Sequence, residues 1–181
     1  MRILAIEGAL ARCSVALLAD GVVLAARQAD AARGHPALLP RFAAEELAEA
    51  GMTATGLDAV AVGVGPGGFT GLRAAIALAD GLALAAGCPL VGVTTGEALA
   101  AAQPEAAAGR AIWAAIDNRR GRVVIECFAP GALVPDAPLV APLDGLPAAR
   151  MPVLALGDAA EVVAGLLVAR GDVAEARPGL P

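Results

Sequence analysis

The chain has 181 residues, 58% of them hydrophobic, and a formal net charge of -5 at pH 7. All 13 basic residues are arginine, and the sequence contains neither lysine nor tyrosine, which excludes a Schiff-base lysine, a P-loop lysine and a catalytic tyrosine. A pI of about 4.8 excludes a surface that attracts nucleic acid over its whole extent.

A mean hydropathy of +0.70 raises the question of a membrane segment. The longest uncharged run, residues 81–96, is broken by glycines and by Cys88-Pro89. It is shorter than the roughly 18–20 apolar residues that a spanning helix needs. At the N-terminus Arg2 stands alone and Glu7 soon follows, which is unlike a signal peptide. We therefore expect a soluble, cytoplasmic protein without a membrane segment.

The first half of the chain predicts three strands followed by alternating helices and strands. Short apolar runs predict strands at residues 2–6, 13–18, 22–26, 58–64 and 90–93. Helical spacing and end signals predict helices at about 36–50, 70–86 and 95–103. Asp20-Gly21 predicts a tight hairpin turn between the second and third strands. The order β-β-β-α-β-α-β-α is that of a ribonuclease-H-like lobe, the half-unit of actin-like folds.

The second half predicts a smaller lobe with a similar beginning. Strands are predicted at residues 111–116, 122–128 and 153–156, a turn at 117–121 and a helix at about 158–170. Residues 129–150 are rich in proline and glycine and predict loop with at most short strand pieces. We therefore predict an α/β, actin-like (ribonuclease-H-like) fold of two lobes, 1–103 and 104–181.

The glycine-rich stretch from Gly63 to Arg73 allows three interpretations. Its G-x-G-x-x-G spacing fits a dinucleotide site, but the next strand ends in Thr94-Thr95 where an acidic residue is expected. Its Walker A spacing fails because Phe69 stands in place of the lysine. A tight strand-to-helix turn that serves close packing remains open. In each case, the amides at the start of the following helix favour an anion.

Several segments together resemble one bacterial family. These are ILAIEGALARCSVALL, RGHPALLP, VGVGPGGFTGLR, GLALAAGCPLVGVTT and, in the second lobe, AAIDNRRGRVV and LGDAA. They are similar to the tRNA threonylcarbamoyladenosine biosynthesis protein family TsaB, also called YeaZ. The resemblance covers residues 2 to about 157 and implies an actin-like ASKHA fold of two lobes.

The resemblance also implies a role. It implies a small, non-catalytic subunit that pairs with a larger catalytic paralogue, TsaD, and works with the ATPase TsaE. The tRNA would be reached only through this complex. No cofactor of its own is implied, and ADP or ATP would lie at the interface with the partner. Whether the free chain is a monomer or a homodimer stays open.

The sequence departs from the family pattern at three points. Glu7-Gly8-Ala9 stands where such folds place Asp-Thr-Ala or Asp-Thr-Ser, and Val124 stands where the family has tyrosine. The second lobe is also short, which leaves room for an incomplete sheet. These departures oppose nucleotide binding by this chain alone and leave the partner role intact.

Two sets of candidate ligand contacts follow. Glu7 and Asp117 end strands at positions where actin-like folds hold phosphate and metal-bound water. The full set of candidate nucleotide or anion contacts is Glu7, Gly65, Gly67, Gly68, Thr70 and Asp117. A second set clusters at the turn of the second lobe and is a candidate contact for RNA or a partner: Arg119, Arg120 and Arg122.

The helix predicted at 70–86 carries the argument for a partner. Only Arg73 and Asp80 are charged in it, so it is apolar on nearly all sides, unlike a surface helix with one polar face. Small residues recur every four positions and would let another helix approach closely. The candidate interface residues are Leu39, Phe42, Phe69, Arg73, Ala77, Asp80, Gly81 and Ala85.

The side chains for independent catalysis are few. His35 is the single histidine, which excludes a two-histidine metal site, and Cys13, Cys88 and Cys127 are too far apart for metal-ligand spacing. We predict no catalytic and no metal-ligating residue. The competing hypothesis is a small phosphohydrolase or kinase of the actin-like superfamily that uses Glu7, Asp117 and the glycine loop.

Overall fold

The computed structural model describes residues 1–30, 34–103 and 108–177, which divide after Thr94 into two compact units. The first unit contains β1 (Arg2–Glu7), β2 (Arg12–Ala19), β3 (Val22–Asp30), α1 (His35–Glu49), a 3₁₀ helix (Ala54–Gly56), β4 (Ala59–Gly63), α2 (Phe69–Ala86) and β5 (Leu90–Val93). The second contains α3 (Thr95–Ala101), β6 (Ala111–Asp117), β7 (Arg122–Phe128), β8 (Leu139–Pro142), a 3₁₀ helix (Leu143–Gly145), β9 (Val153–Leu156), α4 (Ala160–Ala169) and β10 (Ala174–Arg177).

The first unit is built on a five-stranded sheet in the order β3-β2-β1-β4-β5. β1, β2 and β3 form an antiparallel meander, and β4 and β5 continue it parallel to β1. The predicted Asp20-Gly21 turn is present, since both residues have positive φ, 50° and 80°, as the favoured two-residue hairpin turn requires. The predicted meander followed by parallel crossovers is therefore confirmed.

Helices α1 and α2 pack against the sheet of the first unit and against each other. α2 buries a face of small residues at every fourth position: Gly71, Ala75, Ala79 and Ala83. α1 buries Leu39 and Phe42, which are only 0% and 3% exposed, in the same core. Because their side chains are buried in this core, Leu39 and Phe42 cannot line an outer interface. Their prediction as interface residues is therefore wrong.

The second unit repeats the plan of the first. Its sheet has the order β10-β9-β6-β7-β8, with β6, β7 and β8 antiparallel and β9 and β10 parallel to β6. Read from β8 to β10, this is the same succession of three antiparallel and two parallel strands as in the first unit. Both units thus carry the ribonuclease-H-like strand order of an actin-like fold, and the second sheet has five strands despite the short chain.

Two features of the second unit differ from the predictions. The chain ends its described part in β10, where the sequence Ala-Glu-Ala-Arg gave no strand pattern. The helix α3 groups with the second unit, whereas the predicted boundary at residue 103 placed it in the first lobe. The physical reason is local, because α3 packs on β6 and the Gly96 amide donates to the Glu126 carboxylate on β7 at 2.8 Å. Glu126 itself is buried, 2% exposed.

Among the described residues, α2 is the one helix long and apolar enough to cross a membrane by length and composition. On one side of α2, the face of small residues packs on the sheet of the first unit. Its other side is exposed and is described below.

Candidate functional site

The turn between β1 and β2 lies directly against the start of α2. The Gly68 amide donates a 2.6 Å hydrogen bond to the Ala9 carbonyl. A side chain at Gly67 could not be accommodated, because its Cβ would lie 2.6 Å from the Ala9 Cβ and closer still to the Ala9 carbonyl. The glycines of the loop therefore serve close packing, which was the third interpretation left open by the sequence.

A second close approach lies one turn into α2. A Cβ on Gly71 would collide with the Gly8 carbonyl and would lie 2.6 Å from His35 Nδ1. His35, the first residue of α1, is buried, and its two ring nitrogens lie 3.3 Å from the carbonyl oxygens of Gly8 and Ala11. The histidine thus contacts the β1–β2 turn at both Gly8 and Ala11 and has a structural role here.

The carboxylate of Glu7 contacts the same turn. The β1–β2 turn, the start of α2, His35 and Glu7 are together named here the β1–β2 corner. Glu7 Oε1 accepts a hydrogen bond from the Ala9 amide, and its side chain lies over Gly63 at the end of β4, where a Cβ would come within 2.7 Å of the Glu7 carboxyl carbon. Burial raises the pKa of the Glu7 carboxyl above its ordinary value, while hydrogen bonds from the Ala9 and Gly8 amides and the neighbouring His35 lower it.

These contacts occupy part of the start of α2. An anion at a helix N-terminus needs free amides and tolerates no nearby negative charge. Here the Gly68 amide donates to the Ala9 carbonyl, and the Glu7 carboxylate lies nearby against the Ala9 amide and Gly63. Of the predicted anion contacts, Glu7, Gly67 and Gly68 all lie against Ala9, which donates to the Glu7 carboxylate and accepts from the Gly68 amide. Gly65 is buried with φ 95°, Thr70 is exposed on α2, and Asp117 belongs to the second unit.

Replacing Glu7 by glutamine should alter the pH dependence of stability. Because the folded-state pKa lies above the ordinary 4.5, the stabilising contribution of the protonated group is complete below about pH 4.5. It is lost as the pH rises through the raised pKa. Glutamine cannot ionise, so urea unfolding should show the variant gaining stability relative to the wild type as the pH rises above about 4.5. Parallel stability curves for the two proteins would contradict a raised pKa.

The arginine turn, residues 117–122 between β6 and β7, is an exposed hairpin tip whose backbone is held by local hydrogen bonds. Asn118 Oδ1 accepts hydrogen bonds from the Arg120 and Arg122 amides at 2.9 and 3.2 Å. Asp117 Oδ1 accepts from the Arg119 amide at 2.7 Å, and Arg119 adopts a positive φ of 57°. The predicted cluster of three exposed arginines is therefore held on one fixed backbone.

The outer side of α2 is a candidate interaction surface of the first unit. The exposed residues of this helix, named here the α2 stripe, are Phe69, Thr70, Arg73, Ile76, Ala77, Asp80, Gly81, Leu84 and Ala85. Phe69 is 72% and Leu84 is 83% exposed, and the Arg73 guanidinium lies 5.1 Å from the centre of the Phe69 ring. A Cβ on Gly81 would meet no atom within 4 Å. The six predicted interface residues on α2 all lie on this stripe.

The three cysteines are free thiols. Cys13 is buried and Cys88 and Cys127 are half-buried. Burial, followed by the charge of Asp136, raises the pKa of Cys127 to about 11, so the reactive thiolate is scarce at neutral pH. In the described ranges, no group of three or more histidine, cysteine, aspartate or glutamate side chains is placed to hold a metal ion.

The duplicated strand order, with a glycine-rich helix start packed on the β1–β2 turn, defines a protein of the actin-like superfamily. Comparisons give the family. The family model described as "TsaD: tRNA N6-adenosine threonylcarbamoyltransferase" matches residues 26–126. The chain is 41% identical to the tRNA threonylcarbamoyladenosine biosynthesis protein TsaB of Escherichia coli over 123 residues, 68% of this chain and 53% of that protein. The chain belongs to the TsaB (YeaZ) family.

Solved structures agree with this assignment. A crystal structure of an uncharacterized Pseudomonas aeruginosa protein, described as similar to peptidase YEAZ, is 30% identical with a TM-score of 0.81 and aligns over 99% of this chain and 84% of its own. YeaZ from Pseudomonas aeruginosa is 28% identical with a TM-score of 0.75, over 94% of this chain and 93% of its own. The chain spans about half the length of the curated TsaB relatives it matches.

Sequence reasoning missed the residues that close the β1–β2 corner. The glycine pattern located the loop but not the acceptor of its amide, which is a main-chain carbonyl and leaves no signal in residue type. His35 after Gly34 and before Pro36 was the available sign, since a buried polar ring beside a helix start needs acceptors nearby.

Proposed function

We propose that this chain is a non-catalytic partner subunit of the complex that forms threonylcarbamoyladenosine in tRNA, where it binds and stabilises the larger catalytic paralogue TsaD. The observation that carries the proposal is the α2 stripe, an exposed helix face with apolar residues at both ends and small residues between them. The pathway is proposed from the TsaB relatives, which are named as tRNA threonylcarbamoyladenosine biosynthesis proteins. The packed β1–β2 corner supports the absence of independent phosphate chemistry.

The stripe suits a helical partner for a physical reason. Ala77, Gly81 and Ala85 give a smooth surface on which a second helix can pack closely, and Phe69 and Leu84 supply large apolar side chains at either end. TsaD is the occupant we propose, because the TsaD family model itself matches this chain, so a related fold would offer a corresponding helix. A second copy of this chain is the competing occupant.

The remaining parts of the proposal follow from the family. TsaE joins the same cytoplasmic assembly, and tRNA is reached through the complex. We propose that the chain holds no cofactor alone and that ADP or ATP, when bound, lies at the interface with the paralogue. The hydrogen bond from the Gly68 amide to the Ala9 carbonyl supports this arrangement, because a nucleotide phosphate would need other donors.

Reconstitution tests the proposal. The chain is co-expressed with the larger paralogue from the same organism, the complex is isolated, and threonylcarbamoylation of tRNA is measured with and without this chain. We expect a complex and a modification rate that depends on this chain, while the purified chain alone turns over no ATP above background with magnesium. ATP turnover by the chain alone, together with no effect on modification, would favour the phosphohydrolase or kinase hypothesis instead.

A further inference from the structure

Of the five described arginines that have no carboxylate within 4.0 Å, three lie in the arginine turn. Within the described ranges, seven arginines lie within 4.0 Å of a carboxylate: Arg2, Arg12, Arg27, Arg41, Arg110, Arg170 and Arg177. Arg73 lies over the Phe69 ring. The other four described arginines are Arg150 and the three of the arginine turn.

Two carboxylates lie at the base of the turn, but their described hydrogen bonds go to the main chain. Asp117 Oδ1 accepts from the Arg119 amide, and Asp158 Oδ1 accepts from the Asp117 amide at 2.8 Å. Burial raises the pKa of Asp158 and the charge of Arg119 lowers it, yet the described contacts include no salt bridge between these two residues. Arg120 and Arg122 thus have their guanidinium groups available at the tip.

The composition of the tip favours a phosphate backbone over a protein surface as its ligand. Residues 117–122 read Asp-Asn-Arg-Arg-Gly-Arg and contain no apolar side chain. A protein interface needs an apolar, desolvated centre, whereas contacts to nucleic-acid phosphates need positive charge and donors in the fork geometry of arginine. The hydrogen bonds that the Arg120 and Arg122 amides donate to Asn118 also order the backbone of the turn in advance, which reduces the entropy lost on binding.

We propose that the arginine turn contacts the phosphate backbone of RNA, as a secondary contact within the assembly proposed above. The inference rests on that proposed function, since the RNA is the tRNA substrate of the complex. The net charge of -5 limits this chain to such a local contact and leaves the main binding of RNA to the partner.

The test measures how the reconstituted complex of this chain with the larger paralogue binds a tRNA that reads codons beginning with A. The variant carries Arg119→Asn, Arg120→Gln and Arg122→Gln, with asparagine at 119 because that residue tolerates positive φ. Dissociation constants are measured across a series of salt concentrations. We expect Kd to rise roughly tenfold, and the slope of log Kd against log salt to fall by about two to three, as for the loss of three phosphate contacts.

A matched pair of single variants locates the effect. Arg120→Gln and Arg150→Gln each remove one unpaired arginine from the second unit, and only the first lies at the tip. We expect the slope to fall by about 0.7 to 0.9 for Arg120→Gln and to stay at the wild-type value for Arg150→Gln. Equal slopes for the triple variant and the wild type would overturn the proposal.

Assembly is followed in parallel by size-exclusion chromatography, which separates this inference from the proposed function. If the wild-type chain forms no complex, the proposed function fails. If the complex forms and only the triple variant prevents assembly, the turn contacts the partner protein and the RNA assignment is overturned. Intact assembly with a reduced salt slope supports the phosphate contact.

Discussion

Replacing Gly81 by arginine should abolish the association of this chain with its larger paralogue while leaving the monomer folded. Gly81 lies on the α2 stripe with open space around it, so an arginine side chain fits the isolated protein. Arginine is also a better helix former than glycine by about 0.5–1 kcal/mol, so the first unit should not lose stability. At a close helix–helix contact, the same side chain separates the partners and buries a charge.

The expected loss is large. Truncations at the centre of an interface cost about 2 to 4 kcal/mol, and an added charge should reach at least that range, which corresponds to roughly 30-fold to 1,000-fold in Kd. Titration calorimetry or a pull-down at defined concentrations measures it. Gly165→Arg is the matched control, because Gly165 is also exposed within a helix, α4, with no atom within 4 Å of its Cβ position. Equal affinities for the two variants would exclude the α2 stripe as the interface.

Replacing Gly71 by alanine should destabilise the first unit by roughly 3 kcal/mol or more. The added Cβ meets the Gly8 carbonyl and lies 2.6 Å from His35 Nδ1, so both the β1–β2 turn and the histidine must shift. A main-chain atom cannot move aside as a flexible side chain can, which places this substitution at the severe end of overpacking.

Gly81→Ala is the control for Gly71→Ala, since it lies ten residues along the same helix in open space. It should stabilise the helix by about 0.5–1 kcal/mol because alanine loses less backbone entropy. Urea unfolding followed by circular dichroism gives both values. A Gly71→Ala protein as stable as the wild type would show that the β1–β2 corner is loosely packed and would remove the main objection to a phosphate there.

Much of the fold could be predicted because its signals are local. Apolar runs bounded by Asp20-Gly21, Gly51 and Gly87 predicted the strands and helices of the first unit, and Asp117–Gly121 predicted the second hairpin. β10 was missed because it pairs along one side with β9 and alternates alanine with charged residues, which have weak strand preference. Its pairing partner, which is distant in sequence, decides its conformation.

The candidate sites show the same division between local and distant information. Arg119, Arg120 and Arg122 were predicted as a cluster because all three lie in one turn. Leu39 and Phe42 were predicted as interface residues, although both face the core, because an apolar helix position does not reveal which neighbour covers it. The exposed face of α2 was predicted because the helix is apolar on nearly all sides, and packing on the sheet covers only one of them.

The position of α3 has a practical consequence for dividing the molecule. A fragment of the second unit that starts at residue 104 would lack α3, and the buried Glu126 would lose the hydrogen bond from the Gly96 amide. Removal of a hydrogen-bond donor from a buried acceptor costs about 1 to 3 kcal/mol, enough to matter for a small domain. The place to cut the gene for separate expression is therefore between Thr94 and Thr95, at the end of the first unit.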